Sequence, residues 1–128
     1  MSPIGEWALR LQGAYYLVTG VWPIIHLSSF EAVTGPKVDD WLVRTVGLPA
    51  AAIGITLLVG VRRRETPTAT LGILALSSAL AFAAIDFWYG LRGVISPIYL
   101  ADGVVELGWI ALAFPVVMKR TPRPDRAG

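Results

Sequence analysis

The sequence predicts an all-α integral membrane protein, folded as an antiparallel bundle of four spans. Three observations predict it. Of the 128 residues, 55% are hydrophobic and 16% charged, against about 25% charged in an ordinary soluble domain. The apolar residues fall into four runs of the length a bilayer needs, about 20 residues each. The basic residues cluster in alternate connections between those runs, which is how orientation is encoded in membrane helices. The mean hydropathy, +0.61, agrees with all three.

The first span is expected at Trp7–Leu27, with Glu6, Arg10 and Gln12 near its surface end. Tyr15, Thr19, Trp22 and His26 fall within a wedge of about 60° at 100° per residue, one polar and aromatic stripe. Pro23 lies inside the span and removes a backbone donor there, so a kink is expected. In the loop Ser28–Asp40, Ser28 and Glu31 have capping-box spacing, which predicts a short interfacial helix. Thr34, Gly35 and Pro36 end it. Asp39 or Asp40 then caps the second span, Trp41–Val61. Pro49 predicts a second kink. Arg44, Gly47, Ala51 and Gly54 share one face of that span, and small residues there let a neighbouring helix approach.

The run Arg62–Arg64 closes the second span, and Pro67 marks a turn. The third span is expected at Ala69–Tyr89. Its smallest face is Ala75, Ala79 and Ala83, extended by Asp86. A tight turn over Gly90–Val94 follows. Ser96 as cap and Pro97 at the first helical position then open the fourth span, Ile95–Met118. Residues 1–118 thus read as one transmembrane domain. Residues 119–128 read as a basic, proline-rich, disordered tail.

With four spans, Arg10, Arg62–Arg64 and the basic tail share one side, and only Lys37, Arg44 and Arg92 lie on the other. The positive-inside rule places both termini in the cytoplasm, in a multi-pass protein of the plasma (inner) membrane. The N-terminus lacks a basic segment followed by a cleavage site, so the first helix is expected to act as an uncleaved insertion signal. No internal repeat is visible.

Composition also excludes functions. The chain has no cysteine, which removes thiol nucleophiles, thiolate metal sites and disulfides. A net charge of +2 is too small and too segregated for nucleic acid. No phosphate-binding glycine loop or hydrolase motif occurs. One histidine with scattered carboxylates has no metal-ligand spacing, and no cofactor is expected.

The chemistry concentrates in the outer half. Arg44 and Asp86 lie about a turn inside their spans, and His26 at the outer end of the first. Asp102 lies roughly 7 Å beyond Pro97, with Glu106 roughly 6 Å deeper. Acids inside a membrane helix are expensive and ask for a function. The predicted site is an outward-facing pocket lined by Tyr15, Thr19, Trp22, His26, Arg44, Asp86, Tyr89 and Trp109. Asp102 and Glu106 serve in it as acid/base pair or cation acceptor. Aromatic rings around acids suit a cationic or flat, partly apolar ligand. The alternative is that Arg44 pairs with Asp86 or Asp102 and the charges merely lock helices in register. Trp7, Trp41 and Trp88 fit the ordinary aromatic belt. Arg62–Arg64 fits a topology determinant in contact with anionic lipid.

The stretch from Trp22 to Gly47, WPxxH…SFExVTGPKxDxWLVRTVG, and the stretch from Ser96 to Glu106, SPxYLxDxxxE, give a resemblance. With them the chain resembles small four-span bacterial inner-membrane proteins of unassigned function. It does not resemble the small multidrug-resistance exporters, whose membrane acid lies in the first helix. At the level of architecture it is similar to four-helix sterol-isomerase-like membrane proteins, whose pocket acids and aromatics bind amines. The order of polar residues differs, so no site is transferred.

Three functions follow as expectations. The first is binding or turnover of a small amphiphilic or lipidic molecule in the pocket. The second is a non-catalytic membrane interaction subunit with a structural charge network. The third is a proton-coupled transporter subunit, which needs a homo-oligomer to enclose a path. The expected partners are membrane lipids, the small amphiphile and a second copy of the chain. Whether the site is catalytic is left open by the residues alone.

Overall fold

In the computed structural model, residues 3–35, 40–65 and 67–118 are described. They form five α-helices and no strand: α1 Pro3–Ile25, α2 Leu27–Thr34, α3 Asp40–Arg63, α4 Thr68–Leu91 and α5 Ile98–Met118. The basic tail, Pro36, Lys37 and Asp39 lie outside the described residues, as do the side chains of Asp40 and Trp41.

Three helices are long and apolar enough to cross a membrane: Val43–Arg63, Thr68–Leu91 and Ile98–Met118. The first expected span differs. It is a helix of 23 residues, but it is not among the three. Its Glu6, Arg10, Gln12, Tyr15, Tyr16 and Thr19 dilute the apolar run. Pro23 and Pro49 lie within continuous helices, and Pro115 lies inside α5.

The helices pack as two antiparallel pairs, α1 with α3 and α4 with α5. Small residues make the first pair close. A β-carbon on Gly13 would stand 3.0 Å from the Gly54 carbonyl oxygen, and one on Gly47 would stand 2.6 Å from the Gly20 carbonyl oxygen. Nothing larger than glycine fits such backbone contact. The pairs meet along α1 and α5, with further contacts from α1 and α3 to α4. Ala75, Ala79, Ala83 and Asp86 are all buried, as their shared face predicts.

One end of the molecule is sealed by an apolar cluster of Leu9, Leu57, Val61, Leu71, Ala75, Ala113 and Val116. This is the end carrying the α3–α4 turn. There Arg64 Nη2 lies 2.9 Å from Glu6 Oε1, tying α1 to the end of α3. The contact is a charge pairing without an aligned hydrogen bond, since Glu6 Oε1 has no such partner.

The connections explain the helix ends. α2 forms where a short helix is expected, but its cap is His26 and not Ser28: the His26 ring accepts from the Ser29 N–H. Gly35 stops α2 at φ 98°. After α4, the Val94 N–H bonds the Tyr89 carbonyl and the Gly93 N–H bonds the Gly90 carbonyl. With Gly93 at φ 73°, this is the left-handed glycine termination called a Schellman motif. Ser96 Oγ then accepts from the Ile98 N–H at 3.4 Å, the expected cap of α5. Arg92 stacks over Trp88 at 3.8 Å and Arg10 over Trp7 at 5.5 Å.

Candidate functional site

At the end away from the apolar cluster, α1, α4 and α5 converge on three acids. Glu106 is 1% exposed and Asp86 5% exposed. Asp102 is half-buried. Burial of that kind is tolerated only when the oxygens find partners.

Glu106 finds one on α1. The Tyr16 hydroxyl donates to Glu106 Oε2 at 2.6 Å. Gln12, one turn back on the same face, donates from Nε2 to the Tyr16 hydroxyl at 3.2 Å and to the Ala75 carbonyl at 2.9 Å. One chain of hydrogen bonds therefore links α4, α1 and α5. Phe82 closes over it, edge-on to Tyr16 with ring centres 5.2 Å apart.

Asp102 takes a hydrogen bond from the neighbouring tyrosine, Tyr15. Asp86 on α4 stands beside Asp102, since the next residue, Gly103, packs against Asp86 Cβ. Gly103 permits this approach: a β-carbon there would meet Asp86 Cβ at 3.2 Å and the Phe87 ring at 2.9 Å. The second Asp86 oxygen, Oδ2, is buried without a hydrogen-bond partner. So is the Trp109 indole nitrogen, although the Trp109 ring packs against Tyr15 at 5.9 Å between centres.

The structure thus brings together Tyr15, Asp86, Asp102, Glu106 and Trp109 of the expected site. Five other members are placed elsewhere. Thr19 donates to the Tyr15 carbonyl of its own helix at 2.7 Å. Trp22 donates to Ser29 Oγ at 2.8 Å and packs edge-on to Phe30. His26 is exposed and shares Ser29. Trp22 and His26 build the α1–α2 corner, and Thr19 bonds within α1, instead of lining the acids. Tyr89 is 43% exposed.

Arg44 departs furthest from expectation. It is exposed, and among the described residues no ion pair joins it to an acid of the cluster. The reason is topological. α3 packs chiefly on α1 with Gly47 against Gly20, so Arg44 lies beyond the level of Tyr15, the residue that reaches Asp102. The expected counter-ion of the acids is therefore not Arg44.

Gln12, Tyr16, Phe82 and Phe87 are site residues that sequence reasoning missed. Gln12 and Tyr16 sit four apart beside Gly13 and Gly20, the glycines that turn α1 toward its partners. That spacing was the available signal.

Among the described residues, no three His, Cys, Asp or Glu side chains converge closely enough to hold a metal ion. No protein-family model matches the chain, and no curated protein or solved structure matches it significantly.

Proposed function

We propose that the chain is a multi-pass membrane protein of four antiparallel spans that binds a small amphiphilic or lipidic molecule at the Asp86–Asp102 end of this cluster. Both termini face the cytoplasm, and the site opens to the opposite side of the plasma (inner) membrane. Support for the membrane comes from the outer surface. Val18, Leu48, Ile55, Ile73, Leu80, Val104, Leu112 and Phe114 are all exposed. A soluble monomer rarely shows so much apolar surface, whereas lipid covers it. α1 joins the spans because its polar side chains Gln12 and Tyr16 turn inward.

The observation that carries binding is the pair of buried, unpartnered atoms, Asp86 Oδ2 and Trp109 Nε1. The acceptor calls for a donor from outside the chain, and the Trp109 ring against Tyr15 offers an aromatic wall for the rest of a bound molecule. Glu106 has a different role. Held by Tyr16, it belongs to the interhelical hydrogen-bond chain, which supports the structural reading for that acid alone. A transporter path within one chain gains no support, because the apolar cluster closes the other end.

The test uses the full chain in phosphatidylcholine nanodiscs and three probes of one shape: naphthylmethylamine, naphthylmethanol and naphthylacetate. Equilibrium dialysis should find saturable binding of at least one probe, lost in Asp86→Asn and in Trp109→Phe. Partitioning of all three that never saturates, or is equal in the variants, would remove the binding reading.

A further inference from the structure

We infer that the molecule bound at this site is an organic ammonium ion, its nitrogen between Asp86 and Asp102 and its apolar body against Tyr15 and Trp109. The inference rests on the binding function proposed for the same site and names its ligand class.

Charge is the first consideration. Asp86, Asp102 and Glu106 converge, and among the described residues no Arg, Lys or His forms an ion pair with any of them. Buried carboxyls of this kind are held either by a proton or by a positive partner, and an ammonium ion is the partner proposed here. Partner atoms are the second. Tyr16 is committed to Glu106 and Tyr15 to Asp102. Asp86 Oδ2 is buried as an acceptor without a hydrogen-bond partner, on a side chain 5% exposed. What is missing there is a hydrogen-bond donor with positive charge, which an ammonium N–H supplies.

The third consideration separates an organic from an inorganic cation. The three acids do not converge as metal ligands. Beside Asp102 the wall is aromatic, Tyr15 tilted against Trp109 at 5.9 Å. Aromatic faces attract ammonium groups and pack against flat hydrocarbon. Gly103 contributes by letting α5 approach α4 closely at Asp86, where a β-carbon would press on Phe87.

The three probes decide the matter. Naphthylmethylamine should bind at least tenfold more tightly than naphthylmethanol, as expected for a buried charge-assisted hydrogen bond. Naphthylacetate should not bind saturably. Asp86→Asn and Asp102→Asn should each erase the preference for the amine. Their thermal unfolding, followed by circular dichroism, should stay cooperative, showing that the bundle persists. If the alcohol binds as well as the amine and Trp109→Phe still abolishes it, the ammonium inference falls and the binding function stands. If no probe binds saturably, both fall. Lys37→Gln should leave the amine affinity unchanged. A tenfold gain would show that Lys37 already occupies the acids, and would overturn the inference.

Discussion

The Tyr16 hydroxyl donates to Glu106 Oε2 at 2.6 Å, fastening α1 to α5 at the most deeply buried acid among the described residues. Because Gln12 extends the same bonds to the Ala75 carbonyl, this contact holds three helices. Tyr16→Phe removes both the donor for Glu106 and the acceptor for Gln12. It should lower stability by about 1 kcal/mol, the scale of hydrogen bonds between membrane helices. Glu106→Gln keeps an acceptor and should lie near wild type. Reversible unfolding in mixed micelles measures both.

Close packing of α1 on α3 gives a larger effect. A β-carbon on Gly54 would stand 2.6 Å from the Leu17 backbone nitrogen, and backbone cannot step aside as a side chain does. Gly54→Leu should cost about 1–3 kcal/mol or prevent folding. Gly108→Leu is the control, since a β-carbon there meets nothing within 4 Å. The same unfolding assay should find it near wild type.

The turn after α4 isolates backbone strain from packing. Gly93 sits at φ 73°, and an added β-carbon would have no neighbour within 4 Å. Gly93→Ala should therefore cost about 1 kcal/mol from left-handed geometry alone. Gly93→Asn should cost less, because asparagine tolerates that region.

Much of this arrangement was legible in the residues. The four-residue spacing of Ala75, Ala79 and Ala83 identified the buried face of α4 and placed Asp86 on it. Gly47, Ala51 and Gly54 marked where α3 is approached. Ser96 and Pro97 announced the start of α5. The partners of individual polar side chains were not legible. Tyr15, Thr19, Trp22 and His26 share an angular wedge, yet only Tyr15 reaches an acid. Thr19 satisfies itself on its own helix, and His26 caps the next one. Helical spacing fixes the direction of a side chain but not what stands opposite. Arg44 shows the same limit: Gly47 packs against Gly20, which carries Arg44 past the level of Tyr15 and Tyr16, where the acids are held.

Orientation is tested by fusions. A C-terminal alkaline phosphatase should be inactive and a C-terminal fluorescent protein bright, with the reverse for insertions after Gly35. Replacing Arg62, Arg63 and Arg64 by glutamine should weaken this bias, because that turn supplies much of the basic asymmetry. Strong phosphatase activity at the C-terminus would place the site on the cytoplasmic side.

The apolar cluster of Leu9, Leu57, Val61, Leu71, Ala75, Ala113 and Val116 makes the proposed site a dead end. A guest bound at Asp102 as proposed would leave on the side from which it came. Occupancy then follows the concentration in a single compartment, and equilibrium there does no work across the bilayer. If the proposed binding holds, such a chain would suit storing or reporting a solute, with any response carried by the helices that Tyr16 and Glu106 join.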